Sequence, residues 1–410
     1  MAYDSWLTPT PLSGNGNGTI TNTAQTHTGR VARTTIVTVS PSVGDAKTYT
    51  VNQTAAPEFI TVSGTASVGA TETQYTVSGQ SNTAKINWTV STPGSLSPTV
   101  PSSYTANGAS ATNNVNIPGD PGARAQFNFS GVVTFTANPT VSTRTGTITL
   151  TAGGGGSGLV KTITITQAAG AATISLSPTS GTFTAAGSKN TITVRSNTSW
   201  SSNNSGNTWL TTNIPSATGD QSVSIIAAAH TGRAQRAGSI IFTTTNGGSK
   251  SATYNATQAA KAEFVSWAQS SYSATKSGGT VTMTGTSNSS KITFSLKSGG
   301  SITATIPPTY TANSVSTSNG GVISGDPGST AQFSFSIGIV IPPNLTIDAK
   351  SCVIVATPNS GTAVEATINQ STGDVTLDVS PTTITLPASG TASGDDGKVN
   401  VTSNTSWTVS

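Results

Sequence analysis

The sequence predicts an all-β chain: tandem immunoglobulin-like β-sandwiches in two alternating module types, with a split half-module at each terminus. Three observations predict it. First, whole words return after about two hundred residues. His27-Thr28-Gly29-Arg30 returns as His230-Thr231-Gly232-Arg233, Gly119-Asp120-Pro121-Gly122 as Gly325-Asp326-Pro327-Gly328, and Ser196-Asn197-Thr198-Ser199-Trp200 as Ser403-Asn404-Thr405-Ser406-Trp407. Second, four segments close on a short alternating strand that ends in glutamine, at Gln53, Gln167, Gln258 and Gln370. Third, charged residues make up 8% of the 410 residues, against about 25% in ordinary soluble domains. Ser, Thr, Asn and Gly take their place, and hydroxyl and amide side chains compete for the backbone bonds a helix needs.

Taken in order, residues 1–55 match the second half of a short module, because Trp6-Leu7-Thr8 aligns with Trp209-Leu210-Thr211 and His27 with His230. Residues 56–168 form a long module. Residues 169–260 form a complete short one, with period-two alternation in Thr191-Ile192-Thr193-Val194 and Ser239-Ile240-Ile241-Phe242-Thr243 and turn signals between the runs. Residues 261–372 repeat the long module. Residues 373–410 match the first half of a short one, since Val379-Ser380-Pro381 aligns with Leu176-Ser177-Pro178 and Trp407 with Trp200. Connectors of a few residues predict semi-rigid neighbours.

On this alignment Met1 corresponds to Asn204 and Ser410 to Asn203, so the two ends together spell one sandwich. Neither half offers enough apolar surface to offset its ordering entropy alone, and each leaves a strand edge unpaired. Three explanations stand open: a cut in the sequence, completion by a second copy, or closure within one chain, which stiff connectors oppose.

Several function classes are disfavoured. A net charge of +4 is spread thinly, with no basic run interleaved with aromatics, so no nucleic-acid groove is expected. The lone Cys352 lies in the apolar run Cys352-Val353-Ile354-Val355 and reads as a core thiol. His27 and His230 occupy one repeated turn without the companions a metal site needs. Asp120 and Asp326 sit in Gly-Asp-Pro-Gly turns, and Asp395-Asp396 supplies too few oxygens for Ca²⁺. Tyr104 and Tyr310 look like a loop corner, and the glycine run from Gly153 to Gly158 like a hairpin tip. There is no nucleophile elbow or phosphate loop. No enzyme, cofactor or metal is expected. The start Met1 to Trp6 lacks an export-signal pattern, so a cytoplasmic product is expected, and Ile337 to Ile341 is too short to span a membrane.

The opening strand with Leu176-Ser177-Pro178, the Ser-Asn-Thr-Ser-Trp word, Trp209-Leu210-Thr211 and the closing Thr-Gln strand together resemble the BACON domain. The long modules resemble it more distantly, through Ser81-Asn82-Thr83 and Ser287-Asn288-Ser289. This β-sandwich family occurs in Bacteroidetes surface proteins and in phages of gut Bacteroidetes, crAss-like phages among them, and was named for a proposed carbohydrate-binding role. The resemblance implies a non-enzymatic virion protein, a capsid- or tail-attached fibre or decoration. Its expected partners are other copies, other virion proteins, and host or mucin glycans met through weak multivalent contacts. The alternative it leaves is a bacterial cell-surface or secreted carbohydrate-binding protein. The candidate glycan contacts are Trp88 and Trp267, which do not recur between the long modules, and Arg30, Arg33, Arg233 and Arg236. Trp6, Trp200, Trp209 and Trp407 recur inside alternating strands and are expected in the core.

Overall fold

A computed structural model of the chain describes residues 3–62, 64–153, 159–390, 394 and 397–410. The Asp395-Asp396 pair, and the glycine run after Gly153, lie outside the described residues. Apart from two single 3₁₀ turns, Pro121–Ala123 and Pro327–Ser329, all regular structure among the described residues is β. None of it is a helix long and apolar enough to cross a membrane.

Three complete two-sheet sandwiches carry the fold. In the first, strands Ala109–Thr112, Ser103–Ala106, Phe127–Thr134, Gln74–Ser81 and Ile60–Val62 make one sheet in that order. Thr65–Val68, Val160–Gln167, Arg144–Ala152 and Ile86–Thr92 make the other. The sandwich at 261–372 repeats this arrangement strand for strand. The sandwich at 169–260 differs: Ser199–Asn203 pairs with Ser216–Thr218 in one sheet, and Leu210–Thr212 closes the edge of the other. Alternation along the strands explains the layers. Arg144–Ala152 buries Gly146, Ile148, Leu150 and Ala152 and turns its threonines outward, as period-two side-chain geometry requires. Each sandwich has its own buried cluster, centred on Trp88, on Trp200 with Phe242, and on Phe294 with Phe335.

The closing glutamines have a plain physical reason. Gln167, Gln258 and Gln370 are buried, and each amide bonds loops at the base of its sandwich. Gln167 donates to the carbonyls of Ala70, Glu72 and Thr136. Gln258 donates to Thr184 and Ala228, and Gln370 to Thr275 and Pro342. Backbone carbonyls that the sheets leave unpaired are thus satisfied by one side chain.

The end segments are partial versions of the middle sandwich in the same register. Leu7 pairs with Ala24 and Arg33 with Gln53, as Leu210 does with Ala227 and Arg236 with Gln258. Leu377 pairs with Ser403, as Ile174 does with Ser196. Only Trp6, Leu7 and Val37 are buried in the first segment's cluster. In the last segment Val379, Leu386, Val399 and Trp407 are exposed, whereas their counterparts Leu176, Phe183, Ile192 and Trp200 are core residues. Trp407 thus departs from its expected core position: at 49% exposure it has no second sheet above it.

Candidate functional site at the module junctions

One asparagine device recurs at all four junctions, and it is the middle residue of the Ser-Asn-Thr or Ser-Asn-Ser word. Asn82 accepts from the backbone N–H of Phe59 at 2.8 Å, and donates to the carbonyls of Thr28 in the preceding module at 3.0 Å and Pro57 in the connector at 2.9 Å. Asn288 does the same with Phe264, Thr231 and Ala262. Asn197 accepts from Thr173 and donates to Pro139 of the preceding module and Ala171 of the connector. Asn404 repeats this with Thr376, Leu345 and Asp374. An amide is the one neutral side chain that can donate twice and accept at once. Asn82 and Asn288 are fully buried, where an unmet polar group is costly.

The short-to-long junctions add a second layer, in which the His-Thr-Gly-Arg turn seats on the Gly-Asp-Pro-Gly turn of the next module. The N–H of Arg30 donates to Gly122 O at 3.0 Å and that of Val31 to Ala123 O at 3.1 Å. Arg233 and Ala234 donate in the same way to Gly328 and Ser329. Arg30 pairs with Asp120, and Arg233 with Asp326. Both aspartates hold left-handed backbone, φ 41° and 43°, a region Asp tolerates better than most residues. The Thr28 and Thr231 hydroxyls accept from the N–H of Gln126 and Gln332, both at 3.0 Å. A Cβ on Gly29 would stand 2.4 Å from Arg124 O, and one on Gly232 2.4 Å from Thr330 O, so glycine is required by backbone approach.

The histidines hold this turn. His27 Nε2 lies 2.7 Å from Val31 O, and His230 Nε2 2.6 Å from Ala234 O. Since the partner is a carbonyl, the ring nitrogen facing it carries the proton.

The tryptophans and arginines nominated for glycan contact are occupied by the fold, and this corrects the sequence reading. Trp88 is 1% exposed and packs edge-on against Phe129. Trp267 is half-buried, donates its indole N–H to Val364 O at 3.3 Å, and lies against Tyr272, Phe294 and Phe335. Arg30 and Arg233 are the junction ion pairs. Arg33 and Arg236 stack over Trp6 and Trp209 at 4.4 Å from the ring centroids and donate to Gln53 and Gln258. These stacked pairs cover Trp6 and Trp209 at the base of their modules. Trp200 is 1% exposed.

Other chemistry-bearing groups are equally spoken for. The Tyr104 and Tyr310 hydroxyls, on strands rather than a loop corner, accept from the N–H of Ile86 and Ile292, and burial pushes both phenols up. Burial likewise pushes the Cys352 thiol up. Among the described residues no three His, Cys, Asp or Glu side chains come together. The surface feature that repeats is a shallow groove on the solvent face of each long module's five-stranded sheet. Ser78, Gln80, Thr105, Asn128 and Ser130 line the first, and Thr284, Thr286, Thr311, Ser334 and Ser336 the second. Among the described residues no charged side chain lines either groove: hydroxyls and, in the first, amides stand beside Gly79 and Phe129 in one and Ala268, Gly285 and Phe335 in the other.

Comparison with known proteins bears on these modules. Residues 108–168 match the BACON family, described as a putative binding domain, N-terminal. The match falls on the second half of the first long sandwich, the module type whose sequence resembled the family less. No curated protein matches. Among solved structures, a Bacteroides ovatus GH5 xyloglucanase in complex with a XXXG heptasaccharide is 20% identical, with TM-score 0.20, covering 22% of this chain and 19% of that one. Protocadherin gammaB7 EC3-6 is 12% identical, with TM-score 0.32 and coverages of 85% and 84%. Human CDH23 EC21-23 is 10% identical, with TM-score 0.28 and coverages of 75% and 96%. Likenesses at these scores bear on neither the arrangement of the modules nor a ligand. The chain is a series of immunoglobulin-like β-sandwiches, and residues 108–168 of its first long sandwich match the BACON family model.

Proposed function

We propose that the chain is a non-enzymatic structural rod of a phage virion, a capsid- or tail-attached fibre or decoration that works by reach and weak multivalent adhesion to glycans. The observation that supports the rod is the junction asparagine, repeated four times with the same pattern of one accepted and two donated bonds, one of them to the preceding module. Fixed joints turn a series of small domains into a spacer of defined length. Adhesion is supported by the description of the matched family as a putative binding domain. With the candidate Trp and Arg residues engaged inside the fold, the twin hydroxyl-lined grooves are the better place for a neutral polyhydroxy ligand. Two weak sites on one stiff chain, multiplied over copies, gain through effective concentration what each lacks in affinity. The virion setting rests on the family resemblance and the polar, nearly uncharged composition. The family description equally supports the second reading, a bacterial surface carbohydrate-binding protein.

A glycan array probed with the purified chain and with the Gln80→Ala/Thr286→Ala double variant tests adhesion. Binding to mucin-type glycans that falls several-fold in the variant is expected; absence of binding reduces the rod to a spacer. Mass spectrometry of purified particles separates the settings: the chain in particles supports the virion, and the chain in host surface fractions the alternative.

The partial sandwiches extend this reading. In a polypeptide of these 410 residues, the exposed Val379, Leu386, Val399 and Trp407 find their complement in strands Leu7–Thr10, Thr21–Ala24, Arg33–Val39 and Lys47–Gln53 of a second copy. Such a contact is heterologous and continues head to tail. Light scattering is expected to give a mass that rises with concentration; a constant monomer mass contradicts the contact.

A further inference from the structure

The geometry points to a load-bearing role: each complete sandwich holds its second and last strands in a parallel pair that meets axial tension in shear. In all three, the second strand runs parallel to the last. Thr65–Val68 pairs with Thr164–Gln167, Ser180–Phe183 with Asn255–Gln258, and Ser271–Ala274 with Thr367–Gln370. A chain pulled from its ends drags these two strands past one another along their common axis. Every bond of the ladder then carries the load at once. In an antiparallel hairpin pulled apart at its open end, the bonds break one after another.

A second observation reinforces the same pair. The closing glutamine ends each last strand, and its buried amide bonds the loop just after the parallel partner: Gln167 to Ala70 and Glu72, Gln258 to Thr184, Gln370 to Thr275. The next backbone group continues the tie, with Ala168 donating to Val68 O, Ala259 to Phe183 O and Ser371 to Ala274 O. Ladder, amide and following N–H thus join the last strand, through which force leaves, to the second strand. Force reaches that second strand once the short first strand (Ile60–Val62, Ile174–Ser177 or Val265–Trp267) peels from its antiparallel neighbour. The covalent connectors, such as Ala259-Ala260-Lys261, pass the load from one sandwich to the next. This role goes beyond adhesion and stands whether or not a glycan binds.

Force spectroscopy on the full chain in two pulling geometries tests it. Pulled from its ends, the chain is expected to give peaks assignable by released length, about 270 Å for the middle sandwich and about 350 Å for each long one at roughly 3.4 Å per residue. In a Gln235→Cys/Ala260→Cys variant, handles at these exposed positions flank the open end of the Arg236–Thr244/Ser251–Gln258 hairpin. The same sandwich is then loaded across its strands. Forced unfolding follows the unfolding rate along the pulled direction. At matched loading rate the middle sandwich is expected to rupture at a force at least about twofold higher end to end than through the hairpin. Equal forces, or a lower force end to end, overturn the inference.

Discussion

Replacing Gly232 with valine is expected to open the second short-to-long junction while leaving the sandwiches on both sides folded. A side chain at Gly232 meets Thr330 C and O at 2.4 Å and Ser329 O at 2.6 Å. All three atoms are backbone, so no rotamer change relieves the clash. Gly232 is outside the positive-φ glycines, so the effect is steric rather than conformational. Overpacking of this kind costs roughly 1–3 kcal/mol. It also sets against itself the bonds from Arg233 to Gly328 and from Ala234 to Ser329, 3.0 and 2.9 Å long. Trypsin cleavage after Arg233 reads the joint directly, because cleavage needs the turn to open. A rise of about tenfold or more over the parent is expected, since roughly 1.4 kcal/mol corresponds to a factor of ten in the open population. An unchanged rate would mean the turn does not seat as described. Asn288→Ala acts on the same joint from the other side and is expected to move the rate in the same direction.

Trp200→Ala is expected to be the most destabilising substitution in the middle sandwich. Its ring is 1% exposed, meets Phe242 edge-on at 5.5 Å between centroids, and donates its indole N–H to Gly219 O at 2.9 Å. Truncating a buried aromatic to alanine costs about 3–5 kcal/mol, and the Gly219 carbonyl loses its partner as well. Calorimetry is the measurement, with each sandwich treated as its own transition. One transition is expected to fall or vanish while the long sandwiches keep theirs. Trp407→Ala is the informative contrast. Half exposed in the last segment, it is expected to cost under about 1 kcal/mol in an isolated copy. A loss as large as that of Trp200→Ala is expected only where a second sheet covers it.

The layers of this fold were legible because β-geometry writes itself into the sequence with period two. The alternating run Ser239-Ile240-Ile241-Phe242-Thr243 falls inside strand Arg236–Thr244, and Gln167, Gln258 and Gln370 each end a last strand. The junctions were not legible, although their words were. Asn82 meets Thr28 of the preceding module through a backbone carbonyl, which carries no residue signature, and Arg30 and Asp120, an ion pair, come from different modules. A repeated turn and a repeated ion pair look the same until the two turns are seen against each other. Trp88 and Trp267 misled for another reason. At the place of Trp88 the second long module has Phe294, and at the place of Trp267, opposite Gly285, the first has Val62, opposite Gly79. The core keeps its volume by trading a large ring between strands, so a tryptophan that does not recur is still interior. Trp407 failed the opposite way: its sequence pattern is that of a core residue, but burial needs a partner sheet that the pattern does not supply.

The asparagine and turn contacts hold neighbouring sandwiches at a fixed orientation. Spin labels at Thr211→Cys and Thr282→Cys, exposed positions on either side of the second short-to-long junction, test it through their distance distribution. One narrow distance is expected in the parent chain and a broad one once Gly232 is replaced by valine. A broad distribution already present in the parent, unchanged by that substitution, would contradict the account.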